Sequence, residues 1–147
     1  MIKTYQELIA LPSFEERYRY CRIRGRVGED TFGFDRWLNQ RFYSSPEWKE
    51  LRRYVILRDE GCDLAWPELP IQGSIYVHHL NPITKKDILD RSEFALNPDF
   101  FICTSFNTHQ AIHYGDESLL PIFTIPERAP NDTCPWKKGL NQNEYCI

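Results

Sequence analysis

Residues 74–113 read SIYVHHLNPITKKDILDRSEFALNPDFFICTSFNTHQAIH, and they hold all four histidines of the chain. Two are adjacent, His78 and His79; the others, His109 and His113, are four residues apart in the Gly- and Pro-free run Asn107 to Tyr114. On a helix that spacing stacks two imidazoles on one face, about one turn apart, close enough to grip a single ion. The first pair follows Ser74-Ile75-Tyr76-Val77, an apolar and partly β-branched run that predicts a strand with the histidines at its end. Asn81-Pro82 ends it, because proline has no N–H to pair. A second strand is expected over Phe100 to Thr104, after the turn signal Asn97-Pro98-Asp99. The expected order is strand, long loop, strand, helix.

The flanks read more simply. Thr4-x-x-Glu7 and Ser13-x-x-Glu16 match capping boxes, so residues 5–11 and 14–22 are expected to be short helices separated by Pro12. Gly25, Gly28 and Gly33 mark a loop before another helix from Phe34 to Phe42. Ser44-Ser45-Pro46-Glu47 starts a helix that should run to Glu60 and stop at Gly61. Its Trp48, Leu51 and Val55 form an apolar stripe of the kind that packs in a core, and Arg52, Arg53 and Arg58 read as surface cations. Four prolines between Pro121 and Pro135 describe an extended tail with Trp136 as an anchor.

Composition narrows the class. With 27% charged and 41% hydrophobic residues in 147, the chain suits one globular domain. No apolar run approaches the ~20 residues of a membrane span, and charges near the N-terminus rule out a secretion signal; a cytoplasmic protein is expected. Five scattered cysteines, never spaced C-x-x-C, argue against a disulfide framework and a zinc knuckle. Residues 1–58 carry 12 of the 18 Lys and Arg and 8 of the 21 Asp and Glu, a net +4, while residues 59–147 carry a net −7. Such a split neither supports nor excludes phosphate contacts. Arg19, Arg22 and Arg24, set among tyrosines, are candidate nucleic-acid contacts, as are Lys85 and Lys86 beside the histidine pair; a solvated surface explains each equally well.

Val77-His78-His79-Leu80-Asn81-Pro82-Ile83, Asn97-Pro98-Asp99 and Asn107-Thr108-His109-Gln110-Ala111-Ile112-His113-Tyr114-Gly115 together resemble the HNH endonucleases, most of all the small HNH proteins of tailed bacteriophages. WKELRRYVILRDEGC (48–62) and Pro130 to Trp136 add support, so the resemblance spans roughly residues 43–136. It implies an α+β fold, N-terminal helices packed on a ββα-metal finger. One domain over 1–147 would comprise a helical part (1–60), the finger (74–115) and an extended tail (116–147). It also implies a metal-dependent endonuclease or nickase acting on DNA, with a host-cytoplasmic role in phage genome processing or packaging and packaging proteins as partners. His79 would be the general base, and His78, His109 and His113 the ligands of one divalent ion. Imidazole ligands favour Zn²⁺, Ni²⁺ or Mn²⁺ over Mg²⁺. Neighbours on a strand face opposite ways, so the two adjacent histidines are suited to different tasks.

Two departures from the family pattern matter. The positions of its two C-x-x-C pairs fall on Cys62 and Ala65, and on Ser105 and Thr108, so a second metal is not expected. An asparagine that braces the general-base loop falls on Phe100, which has no donor or acceptor in its side chain. Asn81 is the candidate to support that loop instead, with Asn97 a second. The rival reading is a catalytically degenerate DNA-binding or packaging-assembly protein; a metal-dependent RNA nuclease is a third.

Overall fold

Side-chain caps start the helices. In the computed structural model, which describes residues 1–22, 36–66 and 68–122, Thr4 Oγ1 accepts from Glu7 N (3.3 Å) at the start of α1 (Tyr5–Ile9). Ser13 and Glu16 satisfy each other's backbone N–H at α2 (Phe14–Cys21). After α3 (Arg36–Ser44), Ser45 accepts from Trp48 N and Pro46 fills the first turn of α4 (Pro46–Arg58). The Gly25–Gly33 loop, Arg24 and the tail beyond residue 122, with Trp136, lie outside the described residues.

A two-stranded antiparallel sheet follows, β1 (Tyr76–His79) against β2 (Phe101–Thr104). The first strand starts two residues later than Ser74 and ends, as expected, with the two histidines. The cause is the register: Tyr76 faces Thr104, Val77 faces Cys103, His78 faces Ile102 and His79 faces Phe101. A backbone bond from Leu80 N to Phe100 O (2.9 Å) extends the ladder one step. The expected long loop also differs, because it contains α5 (Lys85–Asp90) and α6 (Glu93–Leu96). Thr84 and Asp87 form a capping box at α5, a signal strong enough to hold six residues helical. Lys85 and Lys86 therefore stand on a first helical turn and not in a loop. Then α7 (Phe106–Tyr114), capped by Ser105, ends at Gly115, whose φ of 66° favours a residue without Cβ. Residues 117–119 form a 3₁₀ turn at the start of the segment expected to be extended. The result is an α+β architecture.

All four residues of β2 are buried, because each of its faces is covered. Phe101 and Cys103 join Leu38, Phe42, Trp48, Leu51, Val55 and Ile88 in one apolar cluster beneath α3, α4 and α5. Ile102 joins Leu8, Tyr18, Leu80, Ala111 and Ile112 in a second, beneath α1, α2 and α7. Side chains directly opposite on an antiparallel pair share a face. His79 therefore goes with Phe101 to the α4 side, and His78 goes with Ile102 to the α7 side.

The outer edge of β2 is gripped by the end of α4. Arg58 donates to the carbonyls of Pro98 (2.8 Å) and Phe101 (2.7 Å), and its Nε to Asp59 Oδ1 (2.7 Å). Asp59 Oδ2 accepts from Cys103 N (2.7 Å). Arg58, expected as a surface cation, thus satisfies backbone groups that a two-stranded sheet leaves unpaired. The Asp59 carboxylate is fully buried and the Arg58 side chain nearly so. Removing one member of such a pair leaves a buried charge without its partner. Arg58→Ala should lower unfolding free energy by about 3 kcal/mol, measured by urea titration; a loss under about 1 kcal/mol would show that the grip is only a surface contact.

Candidate metal centre

β1 and α7 bring three of the four histidines together. One nitrogen each from His78, His109 and His113 lies within 4.8 Å of the others. His109 Nε2 and His113 Nε2 are 3.1 Å apart, the product of the i, i+4 spacing on α7. Two nitrogens at about 2.0–2.1 Å from a shared zinc-sized ion would be separated by roughly 3.0–3.4 Å, so the pair already has the ligand spacing. The His78 ring presents itself nearly at right angles to both, 84° to His109 and 83° to His113.

Hydrogen bonding supports an ion. Neither nitrogen of His78 has a partner, although both are buried. Buried polar atoms without partners are costly. An ion at the convergence point would take a lone pair from each ring, and three protein ligands leave a coordination position open, as in catalytic sites. No acidic side chain joins the cluster among the described residues. Burial, more than mutual repulsion, pushes the histidines toward the neutral form that binds metal: His109 down to about 4, His78 well below its usual value and His113 also down.

Two contacts hold α7 in place. Tyr18 donates its hydroxyl to Ala111 O (3.1 Å), between the two helix histidines. Asp63, buried, accepts from Ala65 N (3.2 Å) and Trp66 N (3.1 Å) on its own turn and from Ser105 N (3.0 Å) at the cap of α7. The two turns that carry Cys62 with Ala65 and Ser105 with Thr108 are thus joined by one carboxylate. Burial raises the pKa of Asp63, against hydrogen bonds from Thr108, Ser105 and Trp66 that lower it.

His79 lies apart from the cluster. Its ring stacks on the Trp48 indole (5.9 Å between centroids, 18°) and meets Phe101 at 4.6 Å. Its Nε2 is buried without a partner, though the residue as a whole is only half-buried. Burial lowers its pKa to about 3, so the ring is neutral at neutral pH. Just beyond, Asn81 is buried and clamps the N-terminal segment: Lys3 N donates to its Oδ1 and its Nδ2 donates to Lys3 O, both at 2.8 Å. Phe100 stacks on Phe94 (5.2 Å, 16°); its carbonyl accepts from Leu80 N (2.9 Å) and its N–H donates to Asn97 O (3.0 Å).

The cationic candidates are not gathered at the cluster. Arg19 is exposed on α2 and Lys86 on α5; Lys85 is exposed and engaged in an interaction. Arg22 packs over the end of α7, where a Cβ on Gly115 would meet its Nη2 at 3.2 Å. Trp48 and Lys3 were not visible as site residues in the sequence. The first looked like any core aromatic, and the second acts through its backbone.

The depressed histidines make the apo protein acid-sensitive in a defined window. Between about pH 6.5 and 5 only histidines titrate in the unfolded chain. There the unfolded state takes up protons that the folded state refuses, so stability is complete above about 6.5 and falls as pH drops, by up to ~1.4 kcal/mol per pH unit for each histidine. Urea titrations of metal-free protein at pH 7, 6 and 5 check this; unchanged or rising stability would contradict it. No protein-family model, curated protein or solved structure matches the chain.

Proposed function

We propose that the protein is a metal-dependent endonuclease or nickase of the HNH type, cleaving DNA phosphodiester bonds with a ββα-metal finger built from β1, β2 and α7. The observation that carries the reading is the convergence of the His78, His109 and His113 nitrogens within 4.8 Å, with His79 next in the same strand. Zn²⁺, Ni²⁺ or Mn²⁺ suits three imidazoles better than Mg²⁺. Such an ion would supply Lewis acidity at the phosphoryl oxygens and help the leaving oxygen.

The protein's own groups would do the rest. His79, neutral at neutral pH, offers a lone pair to remove a proton from the attacking water. Trp48 and Phe101 fix its ring. Asn81, through its two bonds to Lys3, holds the chain two residues beyond it. Phage genome processing or packaging, with packaging proteins as partners, is the setting the family resemblance suggests. One observation favours a catalytically degenerate DNA-binding or packaging-assembly protein instead: His79 Nε2 is buried against aromatic rings, and Phe100 lends its loop no side-chain bond.

Plasmid nicking with Zn²⁺, Ni²⁺, Mn²⁺ and Mg²⁺, beside calorimetric metal titration, separates the two. Under the nuclease reading His79→Ala slows cleavage by roughly 10²–10⁴-fold and leaves metal affinity nearly intact, whereas His109→Ala lowers both. Normal cleavage by His79→Ala removes its role as base. A wild-type protein that binds metal and DNA but is inert with every ion leaves the scaffold reading.

A further inference from the structure

Between α3 and α5 lies a cavity of about 260 Å³. Its floor is made by Phe42 and Ile88, both buried, and one wall is the Trp37 indole, 59% exposed. Leu38, Leu89 and two guanidiniums, Arg41 and Arg91, complete the lining, with no acidic residue among the described residues that form it. Among the described residues the Arg41 side chain makes no hydrogen bond or ion pair, whereas Arg91 reaches Glu47 at 3.0 Å. Arg91 also caps α5 in the left-handed region (φ 50°), where glycine would be relaxed and an arginine is strained. The cavity connects with His79 through packed rings: Phe42 lies 5.5 Å from Trp48 at a tilt of 45°, and Trp48 stacks on His79.

We infer that this cavity is a nucleotide subsite, taking one unpaired base of the DNA strand against Trp37, with the flanking phosphates on Arg41 and Arg91. The inference deepens the nuclease proposal and rests on it for the identity of the strand. An exposed indole offers a stacking face that any base can use, and guanidiniums suit phosphate oxygens. The volume is below the roughly 300–1,000 Å³ of a drug-sized pocket, which fits a single ring system and excludes a duplex. Base faces in a duplex are already stacked, so the subsite selects single strands, flaps or bubbles.

Fluorescence anisotropy on the full chain tests it, with EDTA present to stop cleavage and a short labelled DNA single strand compared with its duplex. The single strand should bind more tightly. Trp37→Ala should weaken single-strand binding by roughly tenfold without altering duplex binding, and Trp37→Phe should recover most of the loss. Arg91→Gly relaxes the left-handed backbone, so weaker binding with a flatter salt dependence cannot be put down to unfolding. Undiminished affinity in Trp37→Ala, or a preference for duplex, overturns the subsite while leaving cleavage by the histidines untouched. So does a change of oligomeric state in Trp37→Ala without loss of binding, which would make the cavity an interface between copies. Tighter binding of an RNA strand of the same sequence overturns the DNA assignment. Loss of single-strand binding in Trp37→Ala, in a protein that cleaves nothing, supports the subsite and sinks the nuclease.

Discussion

Four backbone pairings decide what the histidines can do. β2 is four residues long and buried on both faces, and it sets His78 against Ile102 and His79 against Phe101. A slip of one residue would exchange the two imidazoles between the α7 side and the α4 side. Such a slip would also turn Val77 away from the apolar cluster that it packs against. The register is therefore held by the cores on both sides of the sheet. The opposite facing of the adjacent histidines is a consequence of that packing.

So short a sheet is not stable alone, and the surrounding contacts are placed accordingly. Arg58 and Asp59 occupy the edge of β2 that no third strand covers. Asp63 ties the cap of α7 to the turn after α4, and Tyr18 holds the middle of α7 against α2. Each of these bonds joins segments forty or more residues apart, and together they place His109 and His113 opposite His78. The rigidity that gathers three nitrogens also leaves both ring nitrogens of His78 buried without a hydrogen bond. Binding an ion would relieve that condition.

Local chemistry made much of this legible in advance. Serine and threonine caps, Pro46 and the two histidine spacings marked most helices and both strands, because they act within a turn or two of the chain. The opposite facing of His78 and His79 followed from the two-residue period of a strand. The helices at 85–90 and 93–96 were missed because six and four residues are too short to show a 3.6-residue period, although Thr84 and Asp87 were a usable cap signal. Trp48 stacking on His79, Asn81 clamping Lys3 and Asp63 reaching Ser105 all depend on tertiary approach, for which nothing local in the chain is diagnostic. The first strand ends with the two histidines, as the sequence indicates, and only its start differs, because pairing begins at Tyr76 and not at Ser74.

The central claim is that one divalent ion is held by three imidazoles while the fourth stays free. X-ray absorption spectroscopy of the zinc-loaded protein measures this directly, because imidazole rings give a recognisable outer-shell scattering pattern. Wild-type protein should bind one equivalent, with three imidazole nitrogens at about 2.0–2.1 Å, and the spectrum should be unchanged in His79→Ala. A spectrum with fewer than three imidazoles, or one that loses an imidazole in His79→Ala, would contradict it.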